Sequence, residues 1–167
     1  IIGILHSDDN FYDVNILSSV AEVFKDTRII CLYGDLEYIN EKNEVVRNWK
    51  AGNYDKKKLL SGWMPPHPTF FLRKELFDIV GPYSMEYNIS SDYDFIIKAL
   101  KILKENQIAY LPLTLVQMKT GGISNNSITN IAKKMKEDYE IIKKNDLGGF
   151  RTLFLKNVSK IKQFAFK

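Results

Sequence analysis

Apolar runs of strand length alternate with stretches of helical spacing along almost the whole chain, which restricts the fold to layered α/β architectures. Residues 1–5 read as a short, fully buried strand and residues 28–33 as a second. Residues 36–39 and 45–49 read as two more, around the polar turn Asn40-Glu41-Lys42-Asn43. The pair Gly34-Asp35 reads as a turn, with Asp35 at a pocket rim. Residues 69–72 and 108–118 are extended. Helical spacing marks residues 15–25, 54–60, 74–80, 91–104, 127–144 and the tail beyond Phe150. On the helix at 127–144, Ile128, Ile131, Ala132, Met135, Tyr139 and Ile142 form one stripe, expected to face the core. The expected architecture is a mixed, mostly parallel sheet flanked by helices, with further helices at the C-terminal end.

The chemistry concentrates where strands stop. The opening stretch IIGILHSDDNFYD runs an apolar segment directly into Asp8-Asp9. Open α/β sheets gather their sites at the carboxyl ends of strands. Two hard oxygen ligands there suit Mg²⁺ or Mn²⁺ held together with substrate phosphates. The competing structural role is a helix cap by Ser7, Asp8 or Asp9. His6 reads either as a group supporting the acidic pair or as a packed strand-end residue, the second being favoured. A second acidic group, Ser90-Ser91-Asp92-Tyr93-Asp94, opens a helix. Helix geometry aligns Asp92 with Phe95, Ile96 and Ala99, on the protein-facing side. Asp94 aligns with Lys98 on a more solvated side, where the two can pair. Between these groups lies Trp63-Met64-Pro65-Pro66-His67-Pro68, where three prolines in four positions stiffen the chain beside an aromatic platform and an imidazole.

Taken in order, SDDNFYD, IICLYGDLEYIN, GWMPPHPTFFLRKELFDIVGPY, ISSDYDFIIKAL and LVQMKTGGISNNS resemble the family 2 glycosyltransferases, over nearly all of the chain. The resemblance implies a partial GT-A fold, that is, the Rossmann-like fold of nucleotide-diphospho-sugar transferases. It also implies an enzyme that moves a sugar from a nucleotide-sugar donor to a hydroxyl on a glycan or lipid-linked acceptor, with inversion and a divalent cation (Mn²⁺ or Mg²⁺). By the same resemblance Asp9, with Asp8 beside it, holds the metal and Asp92 is the catalytic base. His67 and Trp63 lie on the acceptor side, and Lys119, Gly121 and Gly122 lie near the donor diphosphate. Ser91 departs from the family pattern, which often has Glu there. No Gln-x-x-Arg-Trp stretch of processive synthases occurs, which favours single-sugar transfer. Residues 1–146 correspond to the C-terminal part of such a domain. The family's early βαβ units do not appear in these 167 residues, so poor turnover alone and self-association over an exposed surface are expected.

The net charge of +4 is uneven. Residues 147–167 hold five basic side chains (Arg151, Lys156, Lys160, Lys162, Lys167) and no acidic one, while the remainder is near neutral. That distribution argues against a nucleic-acid binder and for a specialised tail. Residues 147–167 are expected to form a basic amphipathic helix, either docked on the domain or resting peripherally on the inner face of a membrane, where each basic residue adds ~1 kcal/mol. The single cysteine, Cys31, permits no internal disulfide and fits a cytoplasmic setting. Two rival functions remain: a metal-dependent nucleotidyl or phosphoryl transferase, and a non-catalytic carbohydrate- or membrane-binding module. The first explains Asp8-Asp9 but not the Pro-His and Ser-Asp-Tyr segments. The second predicts indifference to Asp92→Asn.

Overall fold

The computed structural model describes residues 1–120 and 128–165. Gly121 and Gly122, expected near a diphosphate, lie outside the described residues. The order is β1 (Asn10–Phe11), α1 (Ile16–Val23), β2 (Cys31–Ile39), β3 (Val45–Trp49), β4 (Phe71–Leu72), α2 (Lys74–Val80), α3 (Ser91–Ile102), β5 (Ile108–Lys119), α4 (Ile128–Lys144) and α5 (Phe150–Ala165), with short 3-10 turns at Lys56–Ser61, His67–Thr69 and Glu105–Gln107. The fold is α/β, with one mixed five-stranded sheet in the order β1-β5-β2-β3 and β4 pairing with β2. The longest ladder, β2 with β5, is parallel, and the three shorter pairings are antiparallel.

Strand β2 is central because alternate side chains feed two cores. Cys31 and Tyr33 pack with Phe95, Ile96, Leu100 and Ile141 from α3 and α4. Leu32 and Leu36 pack with Ile16, Val20 and Phe24 around α1. Phe70 and Phe71 are buried, one in each core.

Three sequence expectations are corrected here. Gly34-Asp35 is not a turn, since β2 runs unbroken through it. The β2–β5 register shifts on both sides of Asp35, and Gly34 is required because a Cβ there would lie 2.5 Å from Leu115 Cγ. Asp35 is buried, not at a rim, and accepts hydrogen bonds from the Ala51 N–H (2.9 Å) and the Tyr110 hydroxyl (2.8 Å), with Lys50 Nζ at 3.1 Å. Residues 1–5 are not a buried strand either. Only Ile2 bridges to Leu72, and Ile1, Ile4 and Leu5 are exposed along an apolar cleft completed by Phe11, Leu17 and Phe71. Finally, the inward sector of α4 is centred on Glu137, Asp138, Ile141 and Ile142, whereas Ile131 and Met135 face outward. The period was legible but the inward face is partly polar.

Helix α5 docks through Thr152, Leu153 and Lys156. The Thr152 hydroxyl oxygen lies 2.8 Å from the carbonyl oxygens of both Leu60 and Leu147, and its single proton serves one of them at a time. Gly62, at φ 75°, ends the 3-10 turn and lets the Lys156 stem approach where a Cβ would be only 2.5 Å from it. Among the described residues no helix is long and apolar enough to cross a membrane.

Candidate active site at the strand ends

The Pro-His turn is seated from below. Thr69 is fully buried, and its hydroxyl lies 3.0 Å from the Gly34 carbonyl and 2.8 Å from that of Pro66. Pro66 is extended at φ −60°, ψ 121°, which suits its ring, and Pro65, Pro66 and Pro68 are buried. This rigid seat holds His67 against the N-terminus of α3. His67 Nδ1 lies 3.2 Å from Asp92 Oδ2. His67 Nε2 lies 3.2 Å from His6 Nε2, with the two rings edge to face at 79°. Both contacts are satisfied when neutral His67 donates from Nδ1 to Asp92 and accepts at Nε2 from His6. His6 is therefore not a packed strand-end residue: it is exposed and joined to the group.

Burial pushes the His67 pKa below the ordinary value. Asp92 opposes that shift, while the charges of His6 and Lys134 add to it. Lys134 reaches in from α4, 3.4 Å from the Ser90 hydroxyl. Tyr38, near the end of β2, senses both Asp92 and Asp9. Burial raises its phenol, the Arg47 guanidinium over its ring (4.6 Å) lowers it, and the two carboxylates raise it. The Asp9 N–H donates to the His6 carbonyl at 3.1 Å, so Asp9 and Asp92 are linked through His6 and His67.

Asp9 sits where β1 pairs with the end of β5, Asn10 facing Gln117. No helix follows closely enough for Ser7, Asp8 or Asp9 to cap it, since α1 begins at Ile16 behind Asn15. Asp9 is buried with Oδ2 unpartnered. Burial and the neighbouring Asp8 raise its pKa, partly offset by His6 and by the Lys119 backbone N–H. Asp8 and the Lys119 side chain are exposed. Among the described residues no three His, Cys, Asp or Glu side chains converge to hold a cation unaided. A buried carboxylate oxygen without a partner, beside a second acid, does fit a Mg²⁺-like ion, which takes one or two carboxylates and leaves its other positions to substrate phosphates and water.

Two predicted residues behave differently. Asp94, expected on the solvated side, is 1% exposed and pairs with Lys98, while Asp92 is the more open carboxylate. Trp63 packs edge-on to Tyr33 (5.7 Å) and against Tyr54, and its indole N–H donates to the Ala51 carbonyl at 3.2 Å. Its contacts lie in the core and not with His67.

Little in the sequence announces the support behind Asp92. Glu137 of α4 accepts hydrogen bonds from three consecutive backbone N–H groups, Asn88 (3.1 Å), Ile89 (2.9 Å) and Ser90 (2.9 Å). Burial raises its pKa, but these three donors outweigh burial and hold it below the usual carboxylate value. Ser90, the residue before α3, makes no side-chain cap, and its hydroxyl donates to Asp138 at 2.8 Å. Asp138 also pairs with buried Lys156 at 2.9 Å. Burial raises the Asp138 pKa, and Lys156 and Lys134 more than reverse it. The only local hint was the adjacent acid pair Glu137-Asp138 between lysines, which reads equally as a solvated face.

No protein-family model matches the chain. Curated relatives include a PGL/p-HBAD biosynthesis glycosyltransferase of Mycobacterium bovis (strain BCG / Pasteur 1173P2) and one of Mycobacterium tuberculosis (strain ATCC 25177 / H37Ra), each 30% identical over 99 residues. The match covers 56% of this chain and 35% of each relative, about a third of the relatives' length.

Proposed function

We propose that this chain forms part of a family 2 glycosyltransferase domain of the GT-A type, in which Asp9 and Asp8 hold a divalent cation and Asp92 takes the proton from an acceptor hydroxyl. The observation that carries this reading is the run of contacts from Asp92 through His67 and His6 to Asp9: His67 lies 3.2 Å from both Asp92 and His6, and the Asp9 N–H donates to the His6 carbonyl at 3.1 Å. The named glycosyltransferase relatives support the same class.

Asp92 is open enough to reach a hydroxyl and is oriented by His67, which sits on its proline-braced turn. An acceptor O–H placed against Asp92 would pass its proton to the carboxylate as the oxygen attacks the anomeric carbon, which gives inversion when the nucleoside diphosphate leaves from the opposite face. Asp9, buried and lacking one partner, is poised to bind positive charge. A cation bound there would offset the charge of the departing diphosphate. The exposed Lys119 side chain, at the end of β5, is available to the same phosphates. The acceptor is a glycan or lipid-linked hydroxyl.

The test is donor hydrolysis and transfer with Mn²⁺ across UDP-, GDP- and dTDP-sugars, on the chain joined to any flanking sequence its gene encodes. Asp92→Asn should lower turnover about 10²- to 10⁴-fold with donor binding kept. Asp9→Asn should abolish the Mn²⁺ dependence. Turnover indifferent to both substitutions would refute the assignment.

A further inference from the structure

The outer side of α4 and α5 is apolar and cationic together. Ile131 and Met135 are 45% and 43% exposed, one turn apart on α4. The line continues to Tyr139, whose ring stacks on Phe150 of α5 at 4.5 Å. Phe154 follows one turn on, and Phe150 and Phe154 are 74% and 67% exposed. Large aromatic side chains at such exposure form a patch, not isolated surface residues.

The charges around this patch are unbalanced for a structural reason. Two of the three acids of α4, Glu137 and Asp138, turn inward and are consumed by the 88–90 backbone and by Lys156. Lys136 and Lys143 stay outside, one turn on either side of Tyr139. Arg151 is exposed between Phe150 and Phe154, and Glu140, 3.8 Å from Lys136, is the remaining acid of the helix. No acidic residue follows position 146 in the sequence.

We propose that this face of α4 and α5 docks in the plane of an anionic lipid surface, with Phe150, Phe154, Met135 and Ile131 entering the headgroup boundary and Lys136, Lys143 and Arg151 meeting the lipid phosphates. Charge complementarity selects anionic lipid, and the exposed aromatic and aliphatic side chains require an apolar phase that a nucleic-acid backbone does not supply. The inference is independent of the catalytic reading.

The test is co-sedimentation of the chain with vesicles of phosphatidylcholine alone and with a third of the lipid replaced by phosphatidylglycerol. The chain should pellet with the anionic vesicles and be released by high salt. Phe154→Ser with Met135→Ser, both at exposed positions outside the buried core, should weaken partitioning about tenfold or more while the melting curve is kept. Lys136→Glu with Arg151→Glu should remove the preference for anionic lipid. Equal partitioning onto both vesicles, no partitioning, or wild-type partitioning by the Ser pair would overturn the proposal. So would a dimer in sedimentation equilibrium that the Ser pair dissociates without any vesicle binding, which would make the face a contact between two copies.

Discussion

Replacing Glu137 by Gln changes one atom and removes one charge, yet it should loosen the segment that presents Asp92. One carboxylate oxygen of Glu137 accepts from Asn88, and the other accepts from Ile89 and Ser90. The amide can keep its carbonyl oxygen on the Ile89 and Ser90 donors. Its NH₂ then faces the Asn88 N–H, donor against donor. Two charge-assisted bonds become neutral, a loss of ~1 kcal/mol each, and the third is lost for about another 1 kcal/mol. The total is about 3 kcal/mol, or roughly 6–12 °C in Tm for a chain of this size. Urea unfolding at neutral pH should show a lower midpoint with an unchanged slope. The sign with pH follows from the depressed pKa of Glu137. Its stabilisation is present above the unfolded-state pKa and is lost as pH falls through the folded value. The gap between wild type and Glu137→Gln should therefore close on acidification. A gap under about 0.5 kcal/mol at neutral pH, or one that does not change with acid, would refute the role assigned to this carboxylate.

Three further outcomes are expected. Lys156→Met leaves Asp138 buried without its 2.9 Å partner and should cost about 3 kcal/mol or more, whereas Lys156→Met with Asp138→Leu should recover most of it, both read by calorimetry. Nuclear magnetic resonance titration should place the His67 pKa below 6.5, and Asp92→Asn should move it lower still because Asp92 is the group that raises it; the neutral imidazole contributes its stability above the unfolded pKa and loses it as pH falls, and an upward move on Asp92→Asn would contradict the contact. Asp9→Asn should raise thermal stability in the absence of divalent ions, because a raised carboxyl pKa means that its charge opposes folding at neutral pH, and a destabilised variant would argue against the unpartnered oxygen.

What the sequence concealed has a common cause. Hairpin β2–β3 and helix α3 rest on local signals, a polar turn and an apolar period, and both were readable. Gly34-Asp35 has the local look of a turn, but Asp35 lies inside a strand because Ala51, Tyr110 and Lys50 satisfy it from distant positions. The side facing inward on α4 was misjudged for the same reason. Lys156 and the 88–90 backbone make the inward acids affordable, and no window around residue 137 contains either. Asp92, Asp9 and His67 stood out by residue type and by their place near breaks in structure. The contact of His6 with His67 spans 61 positions and has no local trace.

The parallel ladder of β2 and β5 also governs how the protein reaches its folded state. It pairs residues as distant in sequence as Tyr33 and Tyr110, and everything between them, including the His67 turn and α3, must be gathered before the ladder closes. Loop-closure entropy is lost before those contacts repay it, so folding should belong to the millisecond-to-second class of topologies rich in distant pairings. Until the ladder closes, β2 leaves Leu32, Tyr33 and Leu36 open to solvent, and the growing chain is open to strand-to-strand aggregation throughout the synthesis of the segment that leads to β5.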